Sequence, residues 1–524
     1  LLSFGIFIPF LGIYSDDWPF LYVYSKAGFQ GVIDFIAWSR PFAGWLFAIP
    51  SGLSLQATWL PHVLLFFTRI ADALLLYWML NLLWPRQRTS AFLAALVFVI
   101  FPSFKQQPLP MEYFAHFSMI GVFLLSVICM VKALDSQISL KKAWLLWGLS
   151  WLLSWGVFPL EYFFGLELLR PVLLAVALRN RGLGGKRLLA QTMRRWLPYL
   201  VVVVVFLFWR VFILEFPTYQ PGLLDLLREN FWLGLVTLIR QVFTDIWTVA
   251  VGTWLQVFTF PTSPRLLLVY AALTAAALLP TGWLLLRTTA GEENPRLRHA
   301  LEWIAIGLLA MLLGGIPFWV TQFKISLDFP WDRTTLSFFV GAAFTTVGLL
   351  NLIPLRWLRV GLLSLLIALS VGLHFQNALS YYREWESLRS FYRQLTQRIP
   401  AMETGTLLVL DGTPFNYHVD RFMTPALNWA YAPELDTLTY KYSHLGFYKF
   451  EDTYLNATDP GQVITRNNGN TRFETTISKS VFLTYNAPDC LHVVDSASIY
   501  QYDYADFSDG FQRALGWSDP GMIQ

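Results

Sequence analysis

Long uninterrupted apolar runs constrain this chain more than any other feature. LLSFGIFIPFLGIY (1–14), FLAALVFVIF (92–101) and VVVVVFLFW (201–209) are too apolar for the surface of a soluble fold. With their flanks, several such windows reach the ~20 apolar residues needed to cross a ~30 Å hydrocarbon core. Composition agrees: 55% of residues are hydrophobic and 14% charged, where an ordinary soluble domain carries about 25% charged residues. The first window begins at Leu1 and lacks a basic n-region and a small-residue cleavage site, so it reads as a truncated membrane helix rather than a signal peptide.

The expected architecture is a polytopic α-helical membrane protein with about eleven transmembrane helices. The spans fall at roughly 1–14, 57–83, 90–103, 113–132, 142–158, 162–178, 196–214, 264–286, 299–320, 335–353 and 359–377. Short cytoplasmic loops collect Lys and Arg, and here alternate loops are basic: 84–90, 132–142, 179–195, 287–298 and 354–359. That alternation assigns loops 15–56, 104–112, 158–161, 215–263 and 321–334, with everything after about 378, to the outer face. Arg240 and Asp245 interrupt the apolar stretch at 232–258. A span there would invert every later loop, so 215–263 is expected to hold amphipathic helices lying in the interface, anchored by Trp232, Trp247 and Trp254.

Three domains follow: a membrane bundle over 1–377, a stem over 378–400 and an extracytoplasmic domain over 401–524. Tyr381, Trp385, Leu388, Tyr392, Leu395 and Ile399 recur at steps of four and three, the signature of an amphipathic helix. TLLVLDG (406–412), FETTISKSVFLTYN (473–486) and LHVVDS (491–496) read as strands separated by turn residues, predicting a small α/β or β-rich domain. Residues 401–524 carry 15 Asp/Glu against 7 Lys/Arg, so the basic surplus belongs to the membrane part and points to no nucleic acid. Cys129 and Cys490 lie far apart and support neither a disulfide framework nor a metal cluster. Asn456-Ala457-Thr458 fits a glycosylation sequon.

Tyr14-Ser15-Asp16-Asp17-Trp18-Pro19, at the outer end of the first span, is the most informative site. Adjacent carboxylates beside a membrane helix are costly to desolvate for structure alone. They point in different directions, so one could take a proton from a hydroxyl while the other orients substrate or binds a cation. A solvated helix cap is the plainer reading of the same residues, and spacing does not rank the two. Lys105 and Arg333 are expected at headgroup depth on the outer side, where the plain readings are snorkelling for Lys105 and pairing with Asp332 or Asp328 for Arg333. Glu112, His116 and Glu161 stand at outer helix ends, where they could bind a ligand or serve as caps. Arg69 and Asp72, one turn apart, are expected to form an ion pair facing the bundle, as are Glu167 with Arg170 and Arg210 with Glu215.

An Asp-Asp pair just after the first membrane helix resembles the GT-C class of membrane glycosyltransferases, in particular its protein O-mannosyltransferase-like (family 39-like) members. Ser39-Arg40-Pro41 with Leu46-Phe47 resembles the element closing their first loop, and Pro61 to Leu65 the start of their second helix. Ala91 to Phe98 running to Phe101-Pro102, and Phe158-Pro159-Leu160-Glu161 with Leu168 to Pro171, are similar to two later elements. Asp332-Arg333 is a more distant match. Phe101 replaces the usual His and Leu160 the usual Lys.

The resemblance implies a sugar donor carried on a polyprenyl or dolichyl phosphate, with an acceptor hydroxyl on a protein, lipid or glycan. Asp16 would be the general base and Asp17 its neighbour in acceptor or metal binding, while Arg40, Lys105, Glu112, His116, Glu161 and Arg333 would contact the substrates. It implies an integral protein of the cytoplasmic membrane or its equivalent. It leaves a divalent cation open and names no other cofactor. The competing readings are a non-catalytic membrane scaffold that kept such a bundle, and a transporter, whose inverted repeats are not evident.

Overall fold

The computed structural model describes residues 1–214, 221–289, 297–411, 415–417, 420–434, 438–446, 459–468, 471–486 and 490–494. The Asn456 sequon and Glu215, with its expected pairing to Arg210, lie outside the described residues. Seventeen α-helices appear among them: α1 (Asp17–Ala37), α2 (Gly44–Gln56), α3 (Leu60–Leu83), α4 (Arg88–Ile100), α5 (Pro110–Lys132), α6 (Leu140–Ser154), α7 (Phe164–Glu167), α8 (Arg170–Arg179), α9 (Gly185–Phe212), α10 (Gly222–Glu229), α11 (Phe231–Trp247), α12 (Thr253–Leu255), α13 (Pro264–Thr288), α14 (Leu297–Val320), α15 (Phe339–Leu350), α16 (Arg356–Arg398) and α17 (Asp420–Tyr431).

Eight described helical stretches are long and apolar enough to cross a membrane: 60–83, 110–132, 185–212, 231–258, 264–288, 297–320, 331–350 and the apolar part of 356–398. Seven of these fall on expected spans, while 231–258 stands where interfacial helices are expected. Expected spans 90–103 and 142–158 fall on α4 and α6, of 13 and 15 residues. Expected spans 1–14 and 162–178 are broken for local reasons. Segment 1–14 holds turns and one 3₁₀ turn, Ile8–Phe10, since Pro9 lacks a donor and Gly5 and Gly12 favour no helix. The stretch expected at 162–178 is broken into the turn Glu161–Phe163, α7 and α8, with Pro171 fixing the first turn of α8.

Polar contacts sort into two ends of the bundle. At one end Trp84 Nε1 donates to Glu302 at 3.3 Å, Arg179 pairs with Glu302, Asn351 donates to Ser90 at 3.0 Å and Arg356 Nε donates to Thr289 at 2.9 Å. This end gathers the basic loops. At the other, His62 Nε2 meets the Gly12 carbonyl at 3.1 Å, and Asn377 donates to the Lys105 carbonyl at 2.6 Å. Helix 231–258, with a π-helical turn at Thr248–Gly252, runs across that second end. Gln241 donates to the Phe323 carbonyl at 3.4 Å, Trp319 Nε1 to Asp245 at 2.8 Å and Gln256 to the Pro102 carbonyl at 2.5 Å. All three partners lie in or beside the 101–109 and 321–330 connections.

α14 and α15 pack most closely, through small residues as membrane helices do. A Cβ on Gly307 would stand 2.6 Å from Thr345 N and 2.7 Å from the Gly341 carbonyl. α16 continues unbroken from bundle to stem and carries a four-stranded sheet in the order β2-β1-β5-β6. Its strands are β1 (Leu407–Asp411), β2 (Ser443–Gly446), β5 (Ser480–Asn486) and β6 (Cys490–Val494), while β3 (Val463–Asn468) and β4 (Thr471–Thr476) form a hairpin. β1 lies parallel to β2 and β5, and β6 antiparallel to β5. Period-2 alternation divides β1: Leu408 and Leu410 pack on Leu388, Phe391 and Leu395 of α16, while Leu407 and Val409 pack on Tyr22 of α1.

Candidate active site

The turn before α1 is sharp. Ser15 has φ 44°, a left-handed conformation uncommon for a residue with a side chain, and it sends the next two carboxylates to different places. Asp16 stands at the N-cap of α1 but its side chain caps no helix N–H. It is a quarter exposed, and its Oδ2 lies 3.9 Å from Arg333 Nη1. Asp17 is fully buried, with Oδ1 accepting from the Glu112 backbone N–H at 3.1 Å and Oδ2 unpartnered among the described residues. Burial, with the Glu112 and Asp16 charges nearby, pushes the Asp17 carboxyl well above the usual range against its backbone hydrogen bonds.

Arg333 comes from the 3₁₀ turn Trp331–Phe338 that opens onto α15. Its neighbour Asp332 is fully buried. Asp332 accepts from the Lys105 N–H at 2.6 Å and from Gln106 Nε2 at 2.5 Å. Gln106 also donates to the Pro330 carbonyl at 3.0 Å and accepts from the Tyr113 hydroxyl at 2.7 Å. The Lys105 connection and the Arg333 turn are thereby fixed to each other. Lys105 Nζ makes no hydrogen bond or ion pair among the described residues.

Glu112 and His116 follow on α5, both buried; His116 Nδ1 meets the Glu112 carbonyl at 3.0 Å, and its Nε2 has no partner among the described residues. Tyr162 stands edge-on to the His116 ring at 4.8 Å. Its turn, Glu161–Phe163, packs against the Arg333 turn. The charges of Arg40 and Arg333 both reach His116, and those of Asp16, Glu112, Asp332 and Arg333 all reach Tyr113. Asp16, Asp17, Arg40, Lys105, Glu112, His116, Glu161 and Arg333 thus gather at one end of the bundle.

One sequence expectation is corrected. Arg69 and Asp72 form no ion pair within 4 Å. Arg69 Nη1 instead donates to Gln107 at 2.8 Å with its guanidinium 4.4 Å from the Phe4 ring, while a Cβ on Gly121 would lie 2.5 Å from Asp72 Oδ1. The helix turns the two side chains toward different neighbours. Glu167 and Arg170 do pair, through two bonds of 2.6 and 2.5 Å. Gln106 and Tyr113 escape sequence reasoning, although Gln106-Gln107 is a polar step in an outer connection. Among the described residues no group of three or more His, Cys, Asp or Glu is arranged to hold a metal ion.

The C-terminal region closes over this end. Glu384 of α16 accepts from the Asn416 and Tyr417 N–H groups at 2.8 and 2.7 Å. The Tyr417 ring stacks on Tyr381 at 3.7 Å and 2°, and Tyr381 meets Tyr14 edge-on at 5.0 Å.

No family model matches this chain, and no curated protein does. Two solved structures are similar to it in outline. The crystal structure of ArnT from Cupriavidus metallidurans in the apo state is 11% identical with a TM-score of 0.32, covering 93% of this chain and 91% of that one. The crystal structure of ArnT from Cupriavidus metallidurans bound to undecaprenyl phosphate is 12% identical with a TM-score of 0.32, covering 92% and 91%. At that TM-score neither likeness carries the functional reading, which rests on the side chains described above.

Proposed function

We propose that this chain is a membrane glycosyltransferase that moves a sugar from a polyprenyl-phosphate donor to an acceptor hydroxyl at the outer membrane face. The observation that carries the reading is the approach of Arg333 to Asp16 at 3.9 Å, with Lys105 tied to the same turn. A carboxylate with exposed edge and two cationic side chains are the groups such a displacement needs.

In this mechanism Asp16 accepts the acceptor proton as the acceptor oxygen bonds to the anomeric carbon. The bond from that carbon to the phosphate oxygen breaks, and its electron pair leaves with the polyprenyl phosphate. Arg333 and Lys105 neutralise the phosphate as charge builds on it; Arg supplies a two-pronged donor and Lys a point charge. Arg40, Glu112, His116 and Glu161 line the sugar and acceptor space. Asp17, whose carboxyl pKa is pushed up by burial, anchors α1 to α5 through the Glu112 N–H and sets the position of Asp16. The test is release of polyprenyl phosphate from a synthetic polyprenyl-phosphate sugar by purified protein, with water taking the sugar in place of the acceptor hydroxyl. Arg333→Gln is expected to slow release by about 10²–10³-fold, the usual cost of one preorganised charge-stabilising donor. Unchanged release would remove Arg333 from the chemistry.

A further inference from the structure

A cleft with no part in the mechanism above opens one residue beyond the carboxylate pair. It has a volume of about 290 Å³ and lies between the start of α1, the stem part of α16 and α17. Trp18, Trp385, Tyr392 and Trp429 form its walls, and Arg389 and Arg393 stand at its rim. The Trp18 and Trp385 rings lie 6.5 Å apart at 35°. The Tyr392 hydroxyl is already committed to the Met423 carbonyl at 3.1 Å, so the walls offer aromatic surface rather than a polar lining. Arg389 and Arg393 are exposed and one turn apart. Arg389 reaches Glu386 at 3.0 Å in a half-exposed pair, which solvent makes weak. Arg393 has no ion-pair partner among the described residues.

We infer that this cleft seats an acidic saccharide, the glycan portion of the acceptor, an assignment that rests on the transferase reading. Sugar rings present an apolar C–H face and a polar edge, matching indole walls and a charged rim. Pockets of this kind are aromatic with a few placed polar groups. Two guanidiniums at i and i+4 fit a carboxylate or phosphate. The cavity, at the small end of ligand pockets of about 300–1,000 Å³, has room for one or two rings of a longer glycan. Trp18 is two residues from Asp16, so a glycan held on it stands beside the base.

The test titrates the purified full chain with tetragalacturonate, with neutral maltotetraose and with an acidic proline-rich peptide, reading tryptophan fluorescence and calorimetry. Tetragalacturonate is expected to bind, with affinity falling as salt rises. Trp429→Ala and the exposed-site variant Arg393→Glu are each expected to weaken it at least tenfold. Equal binding of maltotetraose, preferential binding of the peptide, absence of binding, or full binding by Arg393→Glu overturns the assignment. Donor cleavage without oligosaccharide binding sinks the cleft and spares the transferase; oligosaccharide binding without donor cleavage removes the acceptor role.

Discussion

Asp16 and Asp17 are chemically identical neighbours, yet one faces an arginine at the surface of the site and the other a backbone amide in the interior. The difference makes a pH prediction. The folded-state pKa of Asp17 is raised, so between the unfolded value near 3.9 and that raised value the folded chain binds the extra proton. Stability contributed by this group is therefore full below the unfolded pKa and is lost as pH rises through the folded one. Asp17→Asn keeps an oxygen for the Glu112 N–H and cannot ionise. It is expected to raise the melting temperature at pH 7–8 and leave it unchanged near pH 4. A lower melting temperature at pH 8 would show that Asp17 is ionised in the folded protein. Nothing in the order Ser-Asp-Asp-Trp distinguishes the two residues. What distinguishes them is the backbone of α5, some 95 positions away, and single-sequence patterns do not carry that contact.

At the scale of elements, the basic loops make the alternation of helices legible, because charge and hydropathy act locally along the chain. Breaks are harder to read: α7 and α8 share one apolar run, and only packing against α14 shows where it turns. A Cβ on Gly165 would stand 1.9 Å from the Leu313 carbonyl. Gly314 holds the next contact, where a Cβ would lie 2.5 Å from the Ser337 carbonyl, at the end of the turn that carries Arg333. Gly314→Ala is expected to cost about 1–3 kcal/mol by overpacking and to lower the donor-release rate. A variant with wild-type thermal stability and rate would show that α14 does not position that turn. Glu384→Ala removes a buried carboxylate that accepts two backbone bonds, an expected loss of about 1.5–3 kcal/mol. Faster limited proteolysis after residue 400 is the readout, and an unchanged digestion pattern would contradict a role in holding the C-terminal region down. The strands near 407, 480 and 490 are readable from their alternation, while the parallel order of β1 between β2 and β5 depends on crossovers that no local pattern encodes.

For the whole molecule, the functional reading requires the carboxylate pair, Arg333 and the C-terminal region to share one side. Arg333 approaches Asp16 at 3.9 Å, and Tyr417 of the C-terminal region meets the Phe329 ring at 5.2 Å beside the same turn. Which side faces outward is a matter of membrane insertion. In a Cys490→Ser background, cysteine at position 393 is expected to react with an impermeant maleimide added outside intact cells, and cysteine at position 187 only after permeabilisation. Labelling of both from outside would break the topology. The most direct test of the whole account is sugar transfer from a purified polyprenyl-phosphate donor, comparing wild type with Asp16→Asn at equal donor binding. The account predicts transfer by the wild type and a loss of about 10²–10⁴-fold in the variant, the range for a general base. Transfer undiminished in Asp16→Asn would contradict it, and no transfer by the wild type with any donor would favour the scaffold.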